Sequence, residues 1–150
     1  VWSGLFNRYS LMTRLFPKNS YSRDYLMLDY DHNSIRSVDW VSGCCMMVPD
    51  STFKKVNGFD ENYFLFIEDV DLCQAIKKKE LRVVYFPNAK IFHKISSSNS
   101  RSASQVIIKR HQGMIYYNQK HLKTNFMIRY MINSIIMARC LLQILLNTVK

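Results

Sequence analysis

Residues 58–73 read Gly-Phe-Asp-Glu-Asn-Tyr-Phe-Leu-Phe-Ile-Glu-Asp-Val-Asp-Leu-Cys, and they combine a turn, an aromatic run and clustered acids. Gly58 accepts a positive φ and Asp60 bonds readily to its own backbone, so the stretch predicts a turn at its start. From Glu68 onward the apolar residues recur at helical spacing, and the segment ends in three lysines at residues 77–79. Acids first and lysines last suit the helix dipole. The sequence therefore predicts a helix from Glu68 to about Lys79.

The acids of this helix allow two interpretations. A carboxylate on the first helical turn points in a fixed direction, and between Phe64 and Phe66 it would lie in a partly dry cleft, as a general base does. The same acids would also serve as simple caps of the helix N-terminus, which is their commonest role. The flanking sequence favours the first interpretation.

Shorter elements are predicted on both sides of the acidic helix. Residues 51–56 predict a helix that ends at Asn57-Gly58. Gly43 indicates a bulge or a close approach of two backbone segments. Branched and aromatic runs closed by proline or asparagine predict strands over residues 38–48, 81–86 and 90–95, the last of which carries His93.

The sequence pattern is irregular in the N-terminal part of the chain and helical in the C-terminal part. A short helix within the first 25 residues and a polar, mobile loop over residues 96–102 are predicted. Helices are predicted over 103–121 and 125–147, the second with one narrow polar stripe. A membrane span would place Arg129 and Arg139 in hydrocarbon at about 2.5 to 3.5 kcal/mol each, so an interfacial helix or a subunit contact is preferred. In the interfacial case these arginines would meet anionic lipid.

Several strings occur together in a specific order and spacing: Val-Asp-Trp-Val-Ser-Gly (38–43), Gly-Phe-Asp-Glu (58–61), Glu-Asp-Val-Asp-Leu-Cys (68–73), Val-Tyr-Phe-Pro (84–87) and His93. This combination resembles the C-terminal half of family 2 glycosyltransferases, especially the bacterial rhamnosyltransferase-like branch. Enzymes of that family are inverting transferases that move a sugar from a nucleotide-sugar to a hydroxyl of a glycan or lipid-linked acceptor. The resemblance thus implies a role in the synthesis of cell-surface polysaccharide.

The resemblance also implies a fold and a domain organisation. The expected class is α/β, as the C-terminal part of a GT-A, Rossmann-like fold with added C-terminal helices. Residues 1–100 would form the acceptor-side, catalytic half of the GT-A domain, and 101–150 a helical extension. The nucleotide-binding half is expected to be absent from these residues, so the chain alone is expected to be catalytically incomplete.

By this resemblance, Asp69 is the base that takes the proton of the acceptor hydroxyl, and Glu68 orients the acceptor or the base. We expect Trp40, Asp39 and Asp71 to bind the acceptor. Trp40 has two possible roles, because a tryptophan here is either part of the core or cleft wall, or a stacking platform for a sugar ring.

The resemblance further implies a divalent cation, Mn²⁺ or Mg²⁺, beside the diphosphate. His93 matches a histidine that in some relatives helps to hold this metal, and a simple hydrogen bond to the diphosphate is an equal alternative. The main Asp-x-Asp ligands are expected outside this chain. Asp29-Tyr30-Asp31 and Asp69-Val70-Asp71 have the right spacing but the wrong position for that motif.

Composition sets the remaining limits. The chain has 150 residues, 48% of them hydrophobic, and 21 Lys and Arg against 11 Asp and Glu give a net charge of +10. This favours one domain with an acidic partner, such as a nucleoside diphosphate or an anionic membrane, and without a nucleic-acid motif we expect no nucleic acid. Four cysteines without a CxxC pair indicate a reducing cytoplasm, and Cys44-Cys45 are predicted in the core. We therefore expect a cytoplasmic protein, peripheral at the inner face of the membrane, as a monomer or homo-oligomer; the alternative class is a non-catalytic membrane-associated scaffold.

Overall fold

A computed structural model describes residues 20, 23, 27–93 and 103–148 of the chain. The chain divides into two compact units, Val1–Ile35 and Arg36–Lys150. In the first unit a turn covers residues 27–29, and the Leu28 N–H donates to the carbonyl of Arg23 at 3.0 Å. The loop predicted over 96–102 and nearly all of the helix predicted within the first 25 residues lie outside the described residues.

The elements whose bounds the structure describes all lie in the second unit. Its elements are β1 (Arg36–Ser37), a 3-10 turn (Gly43–Cys45), α1 (Asp50–Lys55), α2 (Glu68–Lys78), β2 (Val84–Tyr85), α3 (Ala103–His121) and α4 (Phe126–Thr148). β1 pairs antiparallel with β2, with Arg36 opposite Tyr85. The four helices predicted after residue 50 are confirmed, each to within one residue at either end.

The end of α1 shows why its boundary was readable from sequence. Asn57 and Gly58 both take left-handed φ values, 61° and 68°. The Gly58 N–H donates to the carbonyl of Phe53 at 2.9 Å, which ends the helix. A Cβ on Gly58 would lie 3.1 Å from the Phe53 ring, so glycine is required for both conformation and space.

The strand predictions are mostly wrong in the described residues. Only Val84–Tyr85 of the 81–86 run is a strand, and residues 90–93 form none. In the 38–48 run, Val38 alone adds to the sheet through its N–H to the carbonyl of Val83 at 2.9 Å. The following residues lie along α2 instead of beside another strand, and Cys44 and Cys45 are exposed rather than in the core. The GT-A sheet predicted from the resemblance stays a prediction, since the described part holds two short strands.

The core of this unit is built around α2. Leu72, Cys73 and Ile76 on its inner face are buried together with Val83. Partly buried side chains from the flanking loops and α1 cover this cluster: Val38, Val41, Met46, Val48, Phe53, Val56 and Leu81. Because the hydrophobic face of α2 is fixed in this way, the direction of its first turn is fixed as well.

α3 and α4 form a helical hairpin. Ile132, Ile136 and Cys140 of α4 are buried, as is Leu122 in the connection. Arg129 and Arg139 are only half-buried, and Arg139 is close enough to His111 of α3 to contribute to its lowered pKa, which arises mainly from burial. The exposed residues of α4 are therefore almost all apolar and carry no charge.

Candidate functional site

The first turn of α2 follows a strained backbone. Phe66 and Ile67 have φ values of 66° and 72°, in the left-handed region that β-branched residues rarely enter. Ile67 nevertheless accepts the first helical hydrogen bond, from the Asp71 N–H at 2.9 Å. Strain of this kind costs roughly 1–3 kcal/mol per residue and is concentrated at functional sites. Here it produces an abrupt entry into the helix at Glu68 and Asp69.

The carboxylate of Asp69 is fixed by two backbone amides. The Gly43 N–H donates to Oδ2 at 2.9 Å, and the Val70 N–H donates to Oδ1 at 2.8 Å. A Cβ built on Gly43 would lie 3.4 Å from the Cβ of Asp69, an ordinary van der Waals distance. Gly43 thus lies against a side chain, in a 3-10 turn, where a bulge or a close approach of two backbone segments was predicted. Each carboxylate oxygen has further lone pairs. The group is therefore oriented and still able to accept a proton.

The segment that supplies the Gly43 amide runs antiparallel along α2. Asp39 forms an ion pair with Lys77, the carbonyl of Val41 lies 4.0 Å from Sγ of Cys73, and Gly43 reaches Asp69. Two extended residues advance about 6.6 Å, close to the 6.0 Å of four helical residues, so alternate residues meet successive turns. This segment also carries Trp40, whose side chain is 38% exposed.

Glu68 is half-buried, and its Oε2 is enclosed without a hydrogen-bond partner among the described residues. Burial, with a smaller contribution from the charge of Asp69, raises the pKa of this carboxyl. A carboxylate with a raised pKa and a free oxygen is a stronger base than one in water. The structure therefore places two chemically distinct carboxylates side by side.

The raised pKa makes a prediction about stability. Between the ordinary glutamate pKa of about 4.5 and the higher value in the folded protein, the folded state binds more protons than the unfolded state. Folding stability due to Glu68 therefore falls as pH rises through this window. We expect Glu68→Gln to raise the unfolding temperature near pH 7 and to have little effect below about pH 4. Glu61→Gln, at an exposed side chain, is the matched control, and an equal shift at both pH values would contradict the assignment.

Asp71 faces away from Asp69, because residues two apart on a helix lie on opposite sides. Its side chain is only 5% exposed and has three partners. These are the Tyr63 hydroxyl at 3.0 Å, Nζ of Lys120 at 2.8 Å and Nε2 of His121 at 2.5 Å. Asp71 thus joins α2 to the C-terminal end of α3, and its predicted contact with the acceptor stays a prediction.

Asp60 extends this ionic cluster to the turn before α2. Its carboxylate accepts hydrogen bonds from Nζ of Lys120 at 2.6 Å and from the Tyr116 hydroxyl at 3.0 Å. The Lys120 ammonium, more than any other group, holds the pKa of Asp60 well below its ordinary value. Sequence reasoning missed Lys120 and His121 because their partners lie about fifty residues earlier. The only sequence signal was a pair of basic groups at the end of a predicted helix, which also suits the helix dipole.

The remaining predicted site residues lie at the surface. Asp39 and His93 are exposed. Among the described residues no three His, Cys, Asp or Glu side chains come together as a metal site. The residues in hand therefore do not make a complete site for the Mn²⁺ or Mg²⁺ that the resemblance implies.

Comparison with known proteins finds relatives of this sequence. A family model described as the N-terminal domain of galactosyltransferase matches residues 28–98. A protein of Mycobacterium tuberculosis, N-acetylglucosaminyl-diphospho-decaprenol L-rhamnosyltransferase, is 31% identical over 114 residues, which are 75% of this chain and 37% of the relative. Rhamnosyltransferase WbbL of Escherichia coli is 45% identical over 58 residues, or 39% of this chain and 21% of WbbL.

A more distant relative is the low-salt glycan biosynthesis hexosyltransferase Agl10 of Haloferax volcanii, 26% identical over 53 residues, or 35% of this chain and 17% of Agl10. No solved structure matches the chain significantly. The matched part is 37% of the length of the Mycobacterium tuberculosis protein, so this chain corresponds to a minor part of it. The chain belongs to the glycosyltransferases, and within them to the rhamnosyltransferase-like type.

Proposed function

We propose that this chain supplies the acceptor side of a glycosyltransferase, which transfers a sugar from a nucleotide-sugar to a hydroxyl of a glycan or lipid-linked acceptor with inversion. Rhamnose is the proposed donor sugar, because relatives from two bacteria are named rhamnosyltransferases. The observation that carries the proposal is the carboxylate of Asp69, fixed by the amides of Gly43 and Val70 at the start of α2.

In the proposed reaction the acceptor hydroxyl donates a hydrogen bond to the Asp69 carboxylate. As the acceptor oxygen bonds to the anomeric carbon, its proton passes to Asp69, and the bond to the nucleoside diphosphate breaks on the opposite face of the sugar. One displacement of this kind inverts the anomeric centre. The two amide hydrogen bonds hold the carboxylate in one direction, so little reorganisation is required at the moment of transfer.

The neighbouring residues have separate proposed roles. Glu68 orients the acceptor or Asp69 through its unpaired oxygen. Trp40, 38% exposed beside the segment that holds Asp69, offers a ring face to a sugar, and exposed Asp39 lies next to it. Asp71, enclosed by three partners, fixes the position of α2 in this proposal, in addition to its predicted contact with the acceptor.

A divalent cation belongs to the proposal only as a group held mainly by ligands outside the described residues. His93, exposed and after β2, is the candidate ligand from this chain. When bound, Mn²⁺ or Mg²⁺ would neutralise charge on the diphosphate.

The test is an assay of the native polypeptide that carries these residues. Candidate nucleotide-sugars, dTDP-rhamnose among them, are screened for release of nucleoside diphosphate with a polyprenyl-diphosphate-linked glycan as acceptor. Release that requires both substrates supports the proposal. Membrane binding without release from any donor would instead favour the non-catalytic scaffold.

The membrane is proposed as a partner because of α4. Residues 126–147 are the one segment of the described chain long and apolar enough to cross a membrane by length and composition, and 17% of the most apolar window is buried. The outward residues include Phe126, Met131, Leu141 and Leu145, each more than half exposed. We propose that this face inserts into the inner face of the cytoplasmic membrane, where a lipid-linked acceptor lies, and that the net charge of +10 assists on anionic lipid.

We expect the protein to co-sediment with vesicles that contain anionic phospholipid, and Leu141→Glu with Leu145→Glu to abolish this binding, because each charge would enter the apolar layer. Met47→Glu is the matched control, since Met47 is 97% exposed and lies far from α4 in sequence. A double variant that still binds vesicles would contradict the proposal. If the parent protein binds no vesicles and the double variant changes it from oligomer to monomer, the apolar face of α4 is instead a contact with a second copy of the chain.

A further inference from the structure

Gly113 lies in the middle of α3, where glycine weakens a helix relative to alanine. It is buried, and its neighbour across the interface is the strained turn before α2. A Cβ on Gly113 would lie 3.3 Å from the carbonyl oxygen of Phe66 and 3.4 Å from Cγ1 of Ile67. The absence of a side chain therefore allows α3 to contact the backbone of this turn directly.

A second residue of the same helix face acts on the same turn. Arg110 lies one helical turn before Gly113, and its guanidinium is 4.6 Å from the centre of the Phe66 ring. Lys109 similarly lies 5.2 Å from the centre of the Phe64 ring. A cation above an aromatic ring is attracted to the face of that ring. This part of α3 therefore contacts the backbone of the turn at Gly113 and the rings of Phe64 and Phe66 through its two cations.

The far end of α3 is fixed independently. Lys120 and His121 hold Asp71, and Lys120 with Tyr116 holds Asp60. α3 consequently contacts the chain on both sides of the Glu68 and Asp69 carboxylates. It contacts Asp60 in the turn before α2, and Asp71 within α2. The family model matches residues 28–98 and so ends before α3 begins.

We infer that α3 is a positioning element for the catalytic carboxylates, with Gly113 as its critical residue. Contact at Gly113 keeps Phe66 and Ile67 in the left-handed conformation that directs Glu68 and Asp69. A side chain at 113 would push the turn away by a few tenths of an ångström or more. This inference rests on the proposed function for its effect on catalysis, but its structural part does not depend on that function.

The test compares Gly113→Ala and Gly113→Val in the native polypeptide, with Gln112→Ala as the control at the adjacent, exposed position. We expect kcat to fall about 10-fold for alanine and about 100-fold for valine, since small misplacements of reacting groups have effects of this size. KM for the nucleotide-sugar should stay within about twofold, because its binding does not require the carboxylates to be aligned. If Gly113 had no role in positioning the turn, Gly113→Ala would instead stabilise α3 and leave kcat unchanged.

A second measurement separates the inference from the proposed function. In ¹⁵N and ¹³C spectra, Gly113→Ala should shift the amides of Ile67, Glu68 and Asp69, and should lower the pKa of the Glu68 carboxyl toward its ordinary value as the turn opens. If the parent protein transfers no sugar, the proposed function fails and these spectra still decide the inference. Unchanged amides and an unchanged Glu68 titration in a folded Gly113→Ala variant would overturn it.

Discussion

Asp69→Asn should lower turnover by about two to four orders of magnitude in the native polypeptide, because asparagine has the shape of aspartate but cannot take the acceptor proton. The amide oxygen of asparagine can still accept from one of the two backbone amides that now hold the carboxylate. Folding and donor binding should therefore persist while transfer is lost. The measurement is release of nucleoside diphosphate at saturating donor and acceptor.

Asp50→Asn is the matched control for this variant. Asp50 also lies on the first turn of a helix, α1, and its exposed carboxylate pairs with Lys54 of the same helix at 2.7 Å. This variant should keep most of the activity. Turnover of Asp69→Asn within about threefold of the parent would remove Asp69 as the base. A loss confined to Glu68→Gln would transfer that role to the neighbouring carboxylate, whose raised pKa suits it.

Asp71→Ala should lower the free energy of unfolding by about 3 kcal/mol, since removing one member of a buried ionic cluster leaves its partners unpaired. The Tyr63 hydroxyl and the His121 ring would each lose their acceptor on Asp71. Lys120 keeps Asp60, which limits the loss. Urea denaturation at neutral pH gives the value.

The comparison for the stability of Asp71→Ala is Asp39→Ala. Asp39→Ala removes an ion pair whose carboxylate is 88% exposed, and such pairs contribute about 0–1 kcal/mol. If the two variants were equally stable, the Asp71 cluster would not be what fastens α3 to α2. Catalytic assays of Asp71→Ala at a temperature where it stays folded would also show whether its carboxylate touches the acceptor.

The helices were predictable because their signals are local. The acids and lysines of α2 and the apolar period of α4 lie within the helices that they define, and the Asn57-Gly58 stop directly follows α1. The 38–48 run misled for the opposite reason. Its branched residues suit a strand, but the surface that it meets is a helix, and no local pattern distinguishes those partners.

The candidate site likewise combines residues with a local sequence signal and contacts between distant residues. Glu68 and Asp69 were proposed from a short motif, and Gly43 drew attention through its position within an apolar run, although its bond to Asp69 was not predicted. The cluster of Asp60, Asp71 and Lys120 and the contact at Gly113 were not found, because each depends on residues some 45 to 60 positions apart. The raised pKa of Glu68 likewise follows from burial, which a motif does not reveal.

The segment from Asp39 to Gly43 has no regular secondary structure except at its last residue, yet its length is fixed by the pitch of its neighbour. Its three contacts with α2 fall at Lys77, Cys73 and Asp69, one per turn. Loss or gain of a single residue would exchange the inward and outward sides of the segment and leave Asp69 without the Gly43 amide. Among related proteins, the length of this segment should therefore be constant, with insertions and deletions excluded from it.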